Sequence, residues 1–183
     1  MNVPQMRMDK VAFLDWADVQ EERCELVGGR VVMMMRPVRA HARISGNLYS
    51  ALRARLEGSR WGVLSDFGTD VGPYTLRYPD IVVEALGQDL KGRTAPEPVF
   101  IAEVLSPSTA TADLGDKVGE YLSLPSLAAY LVLSQDEAKA WLWLRGGDGF
   151  TPGPEVIAGA EASITISPLG LELPMAEIYA GAI

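Results

Sequence analysis

Val99-Phe100-Ile101-Ala102-Glu103-Val104-Leu105 carries a single polar side chain, and its reading decides the fold. A strand wet on one face alternates apolar with polar residues, whereas a strand covered on both faces reads as an unbroken apolar run. The stretch is therefore read as an internal strand of a sheet, packed above and below. Glu103 stands inside it. A bare carboxylate is costly to bury there, and it needs a cation, a basic side chain or hydrogen-bond donors as partner.

Upstream, Asp80-Ile81-Val82-Val83-Glu84 is a second apolar strand, opened by an acid and preceded by Pro79. Neighbouring strands lie about 4.8 Å apart. If these two are neighbours, Asp80 and Glu103 can share one divalent ion. Hard oxygen ligands suit Mg2+ or Mn2+, which keep several waters and accept phosphate oxygens. Such an ion polarises a phosphoryl group and activates water. The competing reading has Asp80 ending a turn and Glu103 paired with an arginine. One isolated acid favours that reading, and two acids together favour the shared ion.

Working outward, Asp9 to Glu22 reads as a short helix, and Cys24–Val27 with Arg30–Met35 as a hairpin on Gly28-Gly29. Ala40 to Glu57 is a helix, because Ile44, Leu48, Leu52 and Leu56 recur every fourth residue. His41 falls at the start of its inward face, and Arg43 on the far side. Trp61–Ser65 and, more weakly, Gly68–Val71 are strands, and the polar Gly87–Pro98 is a loop. After Glu103, Ser106-Pro107-Ser108-Thr109 turns into a helix from about Ala112 to Leu124, stopped by Pro125. Leu127–Leu133 and Lys139–Arg145 are further strands, Ile164–Ile166 a last edge strand, and Pro174–Ala180 a last helical turn or two. The expected architecture is one layered α/β or α+β domain over residues 1–183. A helix and hairpin at about 9–35 precede a core at about 40–145, and 146–183 form a C-terminal edge.

Three further residues are candidates for the chemistry. Lys117 lies at the edge of the apolar face of the helix that follows Glu103. Its amine could reach the acids and stabilise charge developing on phosphate, or it could simply pair with Asp113 on the surface. His41 could be a general base, a substrate contact or a helix-end histidine with a satisfied hydrogen bond. Glu25 could be a third acid of the site or an ordinary strand residue.

Composition narrows the classes. Apolar residues make up 48% of the 183, enough for a real core. No apolar run spans a bilayer, no signal peptide is read at the N-terminus, and Cys24 is alone, so a soluble, cytoplasmic, reducing setting without disulfides is expected. One cysteine and one histidine cannot build a structural zinc site. The net charge is −8, but residues 1–60 hold 10 Lys/Arg against 7 Asp/Glu, leaving a basic N-terminal third. Arg36, Arg39 and Arg43 belong to an arginine-rich region reaching Arg60, which reads either as a phosphate track or as a solvated face.

Tyr78-Pro79-Asp80-Ile81-Val82-Val83, then Ile101-Ala102-Glu103-Val104-Leu105-Ser106-Pro107-Ser108-Thr109, then Asp113, Asp116-Lys117 and Tyr121, together resemble the Uma-two family of restriction endonuclease-like proteins. Cys24-Glu25-Leu26-Val27-Gly28-Gly29 and His41 match its opening hairpin and helix. The resemblance implies a restriction-endonuclease-like core of the PD-(D/E)XK type: a central mixed sheet flanked by helices, with Asp80 as the Pro-Asp acid and Glu103 as the strand acid. It also implies the Val104 backbone carbonyl as a further metal ligand, and Tyr121 as an additional site residue. The superfamily pattern places lysine two residues after the strand acid. Leu105 stands there, so Lys117 is the replacement.

The expected function is metal-dependent hydrolysis of DNA phosphodiester bonds. Asp80 and Glu103 would hold Mg2+ or Mn2+, Lys117 would assist, and the arginine region would meet the DNA backbone. The alternative is a catalytically inactive nuclease-like module that binds nucleic acid or a protein partner. A hydrolase of small phosphorylated molecules is weaker, since no Gly-rich phosphate loop supports it. A homodimer would suit the cutting of two strands, with Trp141 and Trp143 either at its interface or in the core.

Overall fold

The computed structural model describes residues 7–105 and 112–183. The Ser106–Thr109 turn expected from sequence lies outside the described residues.

Helix α1 (Lys10–Ala17) starts at Asp9, whose side chain caps it by accepting the Ala12 N–H at 2.9 Å. It ends at Ala17 rather than Glu22, because the chain tightens into short turns there, with the Gln20 N–H donating to the Ala17 carbonyl at 3.1 Å. Strands β1 (Cys24–Val27) and β2 (Arg30–Met33) form the expected hairpin. Gly28 and Gly29 adopt φ of 55° and 81° in its turn, a conformation that disfavours any residue with a Cβ. Helix α2 (Arg39–Arg55) buries Ile44, Leu48, Ala51 and Leu52, the face expected from their spacing.

Strands β3 (Trp61–Ser65), β4 (Thr69–Gly72), β5 (Thr75–Arg77), β6 (Ile81–Ala85) and β7 (Phe100–Leu105) follow. A π-helical turn at Ala112–Asp116 leads into α3 (Lys117–Leu122), then β8 (Ala129–Ser134) and β9 (Lys139–Gly146). Strands β10 (Gly149–Phe150), β11 (Glu155–Ala158), β12 (Ser163–Ile166) and β13 (Leu171–Pro174) precede the final helix α4 (Met175–Ile178).

The central sheet has the order β10-β9-β8-β7-β6-β3, with β11 also paired to β9. It is mixed: β7 and β8 are parallel, and the other pairings are antiparallel. β7 and β8 are internal, which explains their nearly unbroken apolar sequence. One face packs on α2 and the C-terminal elements, through Phe100, Ala102, Val104, Leu131 and Leu133 against Ile44, Leu48, Ile164 and Ile178. The other face packs Ile101, Tyr130, Val132 and Trp143 against Tyr121 of α3. Trp143 stacks on Tyr130 with ring centroids 5.5 Å apart, so this tryptophan belongs to the core. A smaller sheet of order β2-β1-β5-β4 covers Phe13 of α1 with Leu26 and Leu76.

Three elements differ from the sequence reading. The hairpin β1–β2 joins this separate small sheet, because β5, too short to show a period of its own, pairs with β1. Ile164–Ile166 is not an edge of the central sheet; it forms an independent hairpin with β13. Strand β11 falls in the C-terminal edge, where the sequence reading assigns no element, and it pairs with β9 from Glu155–Leu142 to Ala158–Lys139.

Candidate active site

The antiparallel register of β6 and β7 runs from Val83–Phe100 to Ile81–Ala102. One step further brings Asp80 opposite Glu103, as adjacent strands require. At that point β6 has ended, and the Val104 N–H has lost its ladder partner on that side. The Asp80 side chain supplies it, with Oδ2 accepting the Val104 N–H at 2.7 Å. A strand residue's N–H and C=O point to the same side. The Val104 carbonyl therefore faces the same gap beyond the end of β6. On the opposite edge of β7, the Leu105 carbonyl accepts the Gln135 N–H at 3.3 Å, as the alternation demands.

The two acids are each met by a basic side chain. His41 Nε2, in the first turn of α2, lies 2.9 Å from Asp80 Oδ1. Lys117 Nζ, in the first turn of α3, donates to Glu103 Oε1 at 2.8 Å. The Tyr121 hydroxyl, one turn on, donates to the same oxygen at 3.1 Å. Burial and the nearby Glu103 carboxylate push the Tyr121 phenol well above its ordinary range, so it stays a neutral donor. Lysine at the start of a short helix reaches the acid because Tyr121 packs that helix flat on Ile101 and Tyr130. Asp80, Glu103, the Val104 backbone, Lys117, His41 and Tyr121 are thus one assembly.

Glu25 comes close without joining the acids. Its Oε2 accepts from Arg77 at 2.9 Å, and its Oε1 accepts the Tyr78 N–H at 3.0 Å. Arg77 also grips Glu120 of α3 through Nε and Nη2, at 2.7 and 2.9 Å. Burial opposes charge on this guanidinium, but the Glu120 and Glu25 carboxylates outweigh it and hold its pKa above the ordinary value. Sequence reasoning missed this junction between the two sheets and α3, because β5 went unrecognised. The available signal was a lone arginine beside the Tyr78-Pro79-Asp80 run.

A cleft of about 770 Å3 has Asp80, Glu103, Val104, Lys117 and His41 in its lining, with Glu25 and Arg77. Arg36 also lines it, whereas Arg39 and Arg43 do not. Arg43 lies instead against Gly181 at the C-terminus. The apolar lining of the cleft includes Val32 to Met35, Val38 and Tyr49. Gln135 lines the cleft as well, and sequence reading gave it no role.

Among the described residues, no group of three or more His, Cys, Asp and Glu side chains is placed to enclose a metal ion. Two carboxylates and a carbonyl leave most coordination positions for water and ligand oxygens. That donor set suits Mg2+ or Mn2+, which retain waters, and not Zn2+, which prefers nitrogen and sulfur. Among the described residues, no helix is long and apolar enough to cross a membrane.

Comparison with known proteins agrees with this architecture. An uncharacterized protein of Synechocystis sp. is 27% identical over 185 residues, covering 98% of this chain and 95% of its own length. A second uncharacterized Synechocystis protein is 27% identical over 128 residues, covering 67% of this chain and 72% of its own. The crystal structure of a protein described as a putative nuclease belonging to DUF820, from Anabaena variabilis, superposes with a TM-score of 0.74. That match covers 90% of this chain and 93% of the other, at 16% identity, and so shows a shared fold. The family model Uma2, described as "Putative restriction endonuclease", matches residues 11–176, and the chain belongs to that family.

Proposed function

We propose that this protein is a Mg2+- or Mn2+-dependent endonuclease that hydrolyses DNA phosphodiester bonds. The observation that carries the reading is the 2.7 Å contact between Asp80 Oδ2 and the Val104 N–H, which ties the first acid to the residue after the second. Asp80, Glu103 and the Val104 carbonyl hold the ion in this reading. Bound there, the ion would polarise the phosphoryl group and favour ionised water. Lys117 keeps a positive charge beside Glu103, where negative charge builds on phosphate in the transition state. His41 orients Asp80 through its 2.9 Å contact. The α2 N-terminus, with no acidic residue in its first turn and no side-chain cap, offers backbone N–H groups at the cleft to a phosphate. Arg36 adds a charge at the rim.

Incubation of the pure protein with single- and double-stranded DNA and Mg2+ or Mn2+ tests the proposal. Cleavage is expected, and Asp80→Ala or Glu103→Ala should abolish it while the protein stays folded. A wild type that cuts no form of DNA with either ion refutes the enzymatic reading. The second reading, a nuclease-like module that only binds, is favoured by one feature: Lys117 and His41 already occupy an oxygen of each acid. Calorimetric titration separates the two, because only the enzyme needs a metal site that is lost with Asp80 or Glu103.

A further inference from the structure

Two features of the cleft have no part in the chemistry proposed above. The first is Gln135, just past the end of β8. The residue is 8% exposed, it lines the cleft, and its buried Oε1 has no hydrogen-bond partner among the described residues. A buried amide oxygen without a donor keeps its desolvation penalty uncompensated. Such a group in a cleft wall is suited to a donor brought by the ligand. The second is the apolar part of the lining. Val32, Met33, Met35 and Val38 are 44%, 53%, 73% and 56% exposed, an unusual run of open apolar side chains beside acids and lysine. Arg36 lies within that run and makes no ion pair among the described residues.

We infer that the cleft takes an unpaired nucleotide of single-stranded DNA, with its base against the methionine wall and its polar edge on Gln135. The inference rests on the nuclease-family reading for the kind of ligand. Apolar and flexible Met side chains contact a base face without choosing among bases, and unstacking makes that face available. An amide offers an acceptor oxygen beside a donor NH2, the pattern that matches a base edge and not a phosphate, which only accepts. Arg36 on the same segment meets the backbone of the bound strand. In a duplex the edge is already paired and the face already stacked, so a base would have to be extruded at the cost of both.

Fluorescence anisotropy tests this on the full chain, with Ca2+ in place of Mg2+, using one labelled DNA strand alone and in duplex. The single strand should bind at least about tenfold tighter, since extrusion costs more than the 1.4 kcal/mol that tenfold represents. Gln135→Met should weaken single-strand binding by about tenfold, the upper worth of one neutral hydrogen bond. Its melting temperature should stay the same or rise, because an unsatisfied amide is replaced by an apolar chain of similar length. A structural glutamine would instead lower the melting temperature and leave affinity unchanged. Met35→Ser, at a largely exposed position, should also weaken single-strand binding without unfolding. Equal affinity for both DNA forms, unaltered binding by Gln135→Met, or no DNA binding at all overturns the inference. Cleavage of duplex as readily as of single strands would overturn it and leave the nuclease reading standing. Single-strand binding without cleavage would do the reverse.

Discussion

Lys117→Met removes the amine that meets Glu103, and its consequence can be worked from the structure. The side chains are 9% and 6% exposed, and the N–O distance is 2.8 Å. Breaking a buried ion pair by deleting one partner costs about 3–5 kcal/mol, because the remaining charge keeps its desolvation penalty. Glu103 retains the Tyr121 hydroxyl, which places the expected loss near the lower end, at about 3 kcal/mol. For a chain of this size that is about 6–12 °C in melting temperature. Circular dichroism in EDTA measures it. Glu103→Gln in the same chain removes the stranded charge, so the double variant should recover most of the loss. Addition of Mg2+ or Mn2+ should stabilise Lys117→Met more than wild type, because a cation can replace the amine and ligand binding adds to stability. A loss below about 1 kcal/mol, typical of an exposed pair, or a double variant no more stable than Lys117→Met, would refute the buried-pair reasoning.

Other outcomes follow from the same reasoning. Arg77→Met should destabilise by about 3–5 kcal/mol in urea titration, since Glu25 is left in the interior without its guanidinium. Glu84 Oε2 is buried with no hydrogen-bond partner among the described residues, and burial raises its carboxyl pKa. A raised value means stability that is full below the ordinary carboxyl range and falls as pH rises through the folded-state value. Glu84→Gln should therefore melt higher than wild type at pH 7 and about equally near pH 4, by scanning calorimetry. The Tyr179 hydroxyl lies 2.8 Å from both the Ser134 and the Lys139 carbonyl oxygens, which share its one proton, and burial raises its phenol pKa. Its contribution is complete below about pH 10 and declines as pH climbs through the higher folded-state value. Tyr179→Phe should cost about 1–3 kcal/mol at neutral pH, and should lessen the alkaline decline seen by urea titration.

The sequence by itself determined the elements whose period is long and whose burial is strong. The fourfold recurrence of Ile44, Leu48 and Leu52 wrote α2, and the unbroken apolar run with one acid wrote β7 as an internal strand. It also picked out Asp80 and Glu103, because charge in apolar surroundings is visible without coordinates, whereas Lys117 stood even with a surface pairing until the family resemblance favoured it. The tertiary structure alone decided which partner each acid takes. Glu25 and Glu103 are both acids in apolar strands, and residue type cannot tell them apart. β5 delivers Arg77 to the first, and α3 delivers Lys117 to the second. β5 is three residues long, too short to display a period, so its arginine had no address in the sequence. The same holds for Gln135 and the methionine wall. A residue at the end of one strand and a run after another become a cleft only when the pairing of β7 with β8 and the placement of the small sheet bring them together. Periodicity reports which side of an element is buried, while long-range register reports what it is buried against. Only the first is local enough to be read along a single chain.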